Sequence, residues 1–538
     1  MTKSIQLIEH LRAIFPKYLV LLSLFPLLIG GIIDFDLVES RELIIDLVWL
    51  PFFTIPVLVL GKRFIFQLVN FFYFMVGFIQ ISHWVILKGP ISLTSILVIS
   101  NTNYQEAIEF FDLKATYGLL ILLPFALVYL LSTRQPTPHI NSPYRSYTLL
   151  IVLLISTIFI AENTIHGRLI RKGIPHFAKV AISFHDKIGL YREASRKNAI
   201  NKIDGKAPSD TDSQIFVLIL GESCNRNHMS LYGYSKETTP KLDNRNDIIV
   251  FDNVVSPYSN TLNSVLTILS EANLENGIEI TKGIDVIDVF HAADYKTYWI
   301  SNQSPIGIWD NLVTVLANKT DSKKFVNISS NSSFEATYTA SFDSKLLKPF
   351  SQVLEEPAKR KFIVVHLMGS HSSYSKRYPE TYDDFKGNDS KSRTIGAYDN
   401  SVLYNDFIVD SLLKILDRVS LENNIVSSAI YLSDHGENVY DEFNRVGHDY
   451  SKTLPKANVE IPFMVWVSDH YVKLRPEKVN DIRSNRHKPF VSDDLFHSIL
   501  GINSITSSVF DTKRSIFSNV YNDQRKRILE DNENYDEK

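Results

Sequence analysis

A chain of 538 residues exceeds one ordinary domain, so at least two units are expected. Its 56 Lys and Arg against 59 Asp and Glu leave a net charge of -3, which offers no basic face to release counterions from phosphates, and nucleic acid is excluded as a partner. The mean hydropathy of -0.02 averages two unlike halves: Leu, Ile, Phe and Val dominate up to about residue 161, whereas charged and apolar residues mix from about Arg168 onward.

Five apolar stretches come first: Tyr18–Ile33, Leu43–Leu60, Phe64–Leu87, Tyr117–Ser132 and Tyr147–Ala161. Each approaches the roughly 20 residues that cross a bilayer, and five in succession with few internal charges point to a membrane domain over 1–161 rather than to buried core helices. Lys3, Arg12 and Lys17 precede the first stretch, Lys62 and Arg63 follow the second, and Arg134 and Arg145 follow the fourth. Basic loops stay on the cytoplasmic side, so an odd number of spans exports everything after residue 161. Residues 162–213 then read as a bridge. Ile165–Ala199 interleaves Arg168, Arg171, Lys172, Lys179 and Lys187 with apolar residues, as an interfacial amphipathic helix broken at Pro175 does, and Lys202–Ser213 is a linker. A globular domain is expected over 214–528, followed by an acidic tail over 529–538 that should fray. Cys224 is the only cysteine, so stability must come from the core and from metal rather than from an intramolecular disulfide.

Within the exported half, β-rich runs recur at Ile215–Leu220, Ile248–Val255, Thr297–Ser301, Phe362–Leu367, Ala429–Ser433 and Phe463–Val467, with helical patterns such as Val402–Val419 between them. That alternation predicts an α/β domain with a mostly parallel sheet between helices. Ligands of such sheets collect beyond the carboxyl ends of the strands. Glu222 follows the first run, Ser256–Thr261 the second, Asn302 and Gln303 the third, His371 the fourth, and Asp434 and His435 the fifth. Thr261 is the candidate nucleophile: Ser256–Asn260 reads as a turn and Leu262–Ser270 as a helix, which puts the hydroxyl at a helix start where backbone donors favour phosphate. An alcohol needs a base or a metal to react, and Glu222, Asp434 and His435 with Thr261 as fourth ligand form a candidate zinc site. Taken alone, Thr261 reads first as an N-cap. His371 and His448 are candidates for a second metal or for donation to a phosphoryl oxygen, and His366, beside its strand, reads as structural.

Gly221-Glu222-Ser223, the stretch from Gly233-Tyr234 to Thr239-Pro240, Thr261 three residues before Ser264, His366-Leu367-Met368-Gly369-Ser370-His371, and Ser433-Asp434-His435-Gly436-Glu437 occur in this order. Together with the five-span anchor, this set resembles the bacterial phosphoethanolamine transferases of the alkaline phosphatase and sulfatase superfamily. The resemblance implies a multi-pass enzyme of the bacterial inner membrane with a periplasmic sulfatase-like domain. It would take phosphoethanolamine from phosphatidylethanolamine onto a threonine and pass it to lipopolysaccharide, on a core sugar or lipid A. It implies Zn2+ at Glu222, Thr261, Asp434 and His435, and substrate phosphate or a second zinc at His371 and His448. We expect a monomer. The segment Asn101–Glu106 resembles a family loop near the donor lipid, which implies Thr102 and Glu106 at the ethanolamine headgroup, although Val98 stands where an Asn is expected. The paired cysteines of many lipid A-modifying members are missing, which shifts the expected acceptor toward a core sugar. Within the superfamily, a phosphoglycerol transferase or a phosphodiesterase remains an alternative. A sulfatase is disfavoured, because Cys224-Asn225-Arg226-Asn227 lacks the proline of the formylglycine motif and Thr261 cannot be converted. A catalytically silent membrane-anchored scaffold is opposed by the joint presence of all four zinc-site residues.

Overall fold

The computed structural model describes residues 61–87 and 122–134, several positions within 22–29 and 150–161, Trp49, and then 203–303, 312–327, 341–448 and 454–538 without Thr281 and Asp531. The chain divides into two compact units. In the N-terminal one, helix α1 spans Arg63–Leu87. Its portion Arg63–His83 is, among the described residues, the one helix long and apolar enough to cross a membrane. Phe64, Leu68, Phe71 and Met75 project outward from it, an arrangement that suits lipid and not water. Its inner side packs on the shorter apolar helix Leu122–Arg134: Phe74 stacks on Tyr129 at 4.3 Å between centroids, and the buried Asn70 amide hydrogen-bonds to Ser132. Of the other three expected spans, the first is described at six of its sixteen positions, the second only at Trp49 and the last at nine of its fifteen, while the bridging helix lies outside the described residues.

The C-terminal unit is built on a seven-stranded sheet in the order β2-β10-β7-β1-β6-β4-β5. Five strands are mutually parallel: β1 (Gln214–Gly221), β4 (Lys296–Ser301), β5 (Ser322–Phe325), β6 (Arg360–His366) and β7 (Val426–Ser433). β1 and β7 are buried along their whole length, as strands covered by helices on both faces must be. On one face Ile215, Val217, Ile363 and Val365 meet Tyr398, Val402, Val409 and Leu412 of the long helix α3 (Ser390–Asn423), which comes after the short helix α2 (Thr261–Ile268) in the chain. The Asp389 and Ser392 side chains close a capping box at the start of α3, and Asn424 ends it in the left-handed region. On the other face Phe216, Phe290 and Phe362 pack ring on ring. Truncating one of these rings would cost about 3–5 kcal/mol.

Two expectations are corrected, and the mostly parallel sheet has one exception: β10 (Phe463–Val467) runs antiparallel to both β7 and β2 (Ile248–Phe251). A wholly apolar run carries no mark of direction, so only pairing decides it. The expected strand Ile248–Val255 breaks at Asp252-Asn253, and β3 (Val254–Val255) pairs with β11 (Phe490–Val491) in a separate small sheet. The tail Leu529–Lys538 does not fray: Leu529 is fully buried, the Tyr535 N–H donates to Arg527 O at 2.8 Å, and Arg527 lies over the Tyr535 ring at 4.3 Å while pairing with Asp536. Its acids look solvated in composition, but Asp536 pairs with Arg527 and Glu533 with Lys538, the latter also donating to Leu454 O at 2.8 Å.

Candidate metal and catalytic site

Strand register assembles the site. Gly221 at the end of β1 lies opposite Ser433 at the end of β7, so Glu222 and Asp434 leave the sheet side by side. Leu220 is opposite His366, which sets the loop to His371 on the other flank. Thr261 is the first residue of α2, and the cap itself is Asn260, whose side chain accepts from the Asn263 N–H at 3.1 Å. The threonine hydroxyl is thereby spared that task. Its Oγ1 lies 3.1 Å from each oxygen of Glu222 and 3.3 Å from His435 Nε2.

The surrounding hydrogen bonds orient each group. Asp434 Oδ1 accepts from the N–H groups of Ser223 (3.1 Å) and His435 (2.7 Å), whereas its buried Oδ2 has no donor among the described residues. His435 Nδ1 faces the Gly436 carbonyl at 2.7 Å and must therefore carry a hydrogen, which turns Nε2 toward the carboxylates. The ligand atoms of Glu222, Asp434 and His435 all lie within 4.8 Å of one another. Electrostatics reflect the crowding. Burial and then the Glu222 charge push Asp434 up to about 7. Burial opposes ionisation of Glu222, but contact with His435, and then His371 and His366, hold it well below the carboxylate range. Burial also opposes the charged form of His435, which Asp434 and Glu222 nevertheless drive up to about 10. Two carboxylates, a tautomer-fixed imidazole, a hydroxyl and an orphaned carboxylate oxygen fit a dication that accepts mixed N/O donors.

A second acid–histidine pair adjoins the first. His448 Nδ1 lies 2.7 Å from Glu437 Oε2, Tyr374 donates to Glu437 Oε1 at 2.5 Å, and the rings of His435 and His448 are 4.5 Å apart. Burial works against the Glu437 charge, but His448 holds its pKa low. His371 is close enough for Glu222 and His448 to act on it electrostatically, although burial dominates and pushes its pKa down to about 4. Its loop is held by buried Asp343, which accepts from the N–H groups of Met368 and Gly369, both at 2.9 Å. Gly369 has φ +53, and a Cβ there would stand 2.7 Å from the Glu222 carbonyl oxygen, so only glycine fits. His366 is buried against Trp299. Thus Glu222, Thr261, Asp434 and His435 converge, His448 adjoins them through His435, and Thr102 and Glu106 lie outside the described residues.

A sulfatase family model matches residues 214–504. The phosphoethanolamine transferase CptA of Salmonella typhimurium is 30% identical over 469 residues, covering 81% of this chain and 79% of that protein. The chain belongs to the phosphoethanolamine transferases. The C-terminal periplasmic domain of EptC from Escherichia coli, solved in complex with Zn, superposes on this transferase with a TM-score of 0.56 at 30% identity, over 61% of this chain and 92% of that one. The integral membrane protein lipooligosaccharide phosphoethanolamine transferase A from Neisseria meningitidis shares the fold over 93% of this chain and 98% of its own, with a TM-score of 0.62 at 19% identity.

Several groups that hold the transferase's site together were not assigned roles from sequence. Gln303 donates to Glu222 Oε2 at 3.3 Å and to Leu367 O at 3.1 Å. Asp343, Tyr374 and Asn260 act on backbone or on other side chains and belong to no motif. Glu437 stands inside the Asp-His-Gly-Glu run, two residues after His435, and that position was the available signal.

Proposed function

We propose that this enzyme is a zinc-dependent transferase that moves phosphoethanolamine from phosphatidylethanolamine to lipopolysaccharide through a phosphothreonine at Thr261. The carrying observation is the Thr261 hydroxyl at a helix start, 3.1 Å from both Glu222 oxygens and 3.3 Å from His435 Nε2. Glu222, Thr261, Asp434 and His435 would hold the metal. Bound Zn2+ supplies a Lewis acid that lowers the pKa of a coordinated alcohol and offsets phosphoryl charge.

In the first half-reaction the Thr261 Oγ1–P bond forms as the bond from phosphorus to the diacylglycerol oxygen breaks. The Thr261 proton is shed to solvent, since Glu222, 3.1 Å away, is held ionised well below the carboxylate range. Glu437 fixes the Nδ1–H form of His448 and stabilises its imidazolium, which suits His448 to protonate the departing alcohol. The backbone N–H groups opening α2 and the His371 ring meet charge on the phosphoryl oxygens. In the second half-reaction a hydroxyl of the acceptor attacks the phosphothreonine and gives its proton to the now neutral His448, while the Thr261 Oγ1–P bond breaks and Thr261 Oγ1 takes a proton from solvent. Thr102 and Glu106 are assigned to the ethanolamine headgroup.

The proposed setting is the bacterial inner membrane, with a five-span anchor over 1–161, bridging helices and linker over 162–213, and a periplasmic catalytic domain from 214. Supporting it are the apolar helix Arg63–His83 and the membrane-embedded relative of the same fold. We assign a monomer. A core sugar is the proposed acceptor, since the single buried Cys224 leaves no cysteine pair of the kind expected in lipid A-modifying members.

The test is fragmentation mass spectrometry of lipopolysaccharide from cells with and without the gene and with Thr261→Ala. Gain of one phosphoethanolamine, lost by about three orders of magnitude or more in Thr261→Ala, is expected. Full transfer by that variant would remove Thr261 as nucleophile, and a glycerol-containing product would favour phosphoglycerol as the group moved.

A further inference from the structure

The turn that presents Thr261 has little regular structure of its own. Inside it, Ser256 Oγ donates to Tyr258 O at 2.8 Å and lies 3.2 Å from Ser264 Oγ. From outside, Val459 O accepts from the Ser256 N–H at 2.8 Å, and one residue far along the chain holds the turn at two further points. Glu530 Oε1 accepts from the Ser259 N–H at 3.1 Å and from the Ser259 hydroxyl at 2.9 Å, and the Glu530 N–H donates to Pro257 O at 2.9 Å. Ser259 is two residues before Thr261 and is buried.

Glu530 is held firmly enough to do this. Leu529 beside it is fully buried, and the Leu529 N–H donates to Glu533 O at 2.9 Å. Arg527 reaches Asn253 Oδ1 at 2.7 Å, just ahead of the turn, and Tyr535 hydrogen-bonds to Glu460, whose backbone bridges to Val255. The C-terminal segment is therefore moored to β3 on the near side of the turn and to the turn itself. All of these tail residues lie beyond residue 504, where the match to the sulfatase family ends.

We infer that Leu529–Lys538 is a positioning clasp for the nucleophile turn, with Glu530 as the residue that sets where Thr261 stands. This rests on Thr261 being the group that attacks phosphorus. In-line displacement is sensitive to displacements of about 1 Å, so a turn freed on the Ser259 side loses rate before it loses substrate.

The experiment uses the full-length enzyme in phosphatidylethanolamine-containing vesicles. It reads diacylglycerol release, phosphothreonine by mass spectrometry, and thermal unfolding for wild type, Glu530→Ala, Glu530→Gln, Ser259→Ala and Thr261→Ala. Glu530→Ala should slow Thr261 phosphorylation by about 10- to 100-fold with the donor KM within about twofold and the Tm nearly unchanged. Glu530→Gln keeps an acceptor oxygen and should recover to within about threefold, whereas Ser259→Ala, losing one bond of three, should fall about two- to fivefold. The clasp is overturned by full rate in Glu530→Ala, or by a rate loss that Gln does not rescue and that tracks a falling Tm. If Glu530→Ala does not fold, full rate in Ser259→Ala overturns it. Thr261→Ala separates the two readings: activity there removes the nucleophile, while its inactivity beside a fully active Glu530→Ala removes only the clasp.

Discussion

Two buried acid–histidine clusters sit in the same domain and do opposite things. In the first, His228 lies between Asp399 (2.7 Å, Nδ1) and Asp441 (3.0 Å, Nε2), and Asp399 also takes Lys236 at 2.5 Å and the Tyr234 hydroxyl at 3.2 Å. Two cations face two anions, and Asp441 spends its other oxygen on the Val439 N–H at 2.7 Å. In the second, His435 faces Glu222 and Asp434 and, among the described residues, no lysine or arginine pairs with either and no donor reaches Asp434 Oδ2. A satisfied cluster is a clamp, here joining α3 to the hairpin of β8 (Asn438–Val439) and β9 (Val446–Gly447) that precedes His448. A cluster short of positive charge is a site, because buried carboxylates persist only when paired or coordinated.

The sharpest way to break this contrast is to remove a carboxylate from each cluster in turn. Asp434→Asn keeps the Oδ1 acceptor for Ser223 and His435 but removes the charge. We expect bound zinc, measured by elemental mass spectrometry per mole of protein, to fall below a tenth of wild type, and transfer to fall by about 10³-fold or more. Stripping the wild-type enzyme with a chelator should match that loss, with recovery on returning Zn2+. Undiminished zinc in Asp434→Asn would place the metal elsewhere.

The clamp predicts a different signature, in stability. Burial opposes the charged form of His228, but Asp399 and Asp441 raise its pKa from 6.5 to about 9. A raised folded pKa means that the proton stabilises the fold. That contribution is complete below about pH 6.5 and is lost as pH rises through about 9, amounting to about 3 kcal/mol. Denaturant titrations of wild type and His228→Gln should differ most near pH 6 and converge by about that amount toward pH 10, with zinc content unchanged at pH 7. A gap independent of pH would show that His228 acts through packing alone.

The two clusters also differ in how far they could be read in advance. Asp434 and His435 follow an apolar run, and Glu222 follows another, so the rule that strand ends carry ligands was enough to bring them together. His228 lies in a short helical turn after β1 and its partners come from 171 and 213 residues away, from a long helix and a hairpin tip. Nothing local in Asp399 or Asp441 announces them. The same limit applies to the fold. Four of the five parallel strands were visible as β-rich runs, and the fifth, β5, was hidden by its Ser-Lys-Lys-Phe edge composition. The direction of β10 and the docking of the tail depended on pairings that composition does not encode. Leu529 closes the short pair Ile528-Leu529 ahead of an acidic run, and it is fully buried where Arg527 pairs with Asp536.

The smallest expected effect probes the border between the two kinds of cluster, where Glu437 orients His448. Its Oε1 takes the Tyr374 hydroxyl at 2.5 Å and its Oε2 faces His448 Nδ1 at 2.7 Å, so it has a donor on each oxygen like the clamp while touching the site. Tyr374→Phe preserves the ring that packs edge-on against Tyr398 and removes only the hydroxyl. One buried oxygen then loses a donor to a charged acceptor, which costs about 1.5–3 kcal/mol in stability. Because His448 remains bonded to the other oxygen, its tautomer persists, and kcat should fall by less than about tenfold with zinc content unchanged. Steady-state kinetics and unfolding on the same preparation separate the two quantities. A loss of activity as deep as that of Asp434→Asn would mean that Glu437 belongs to the metal set rather than to the support of His448.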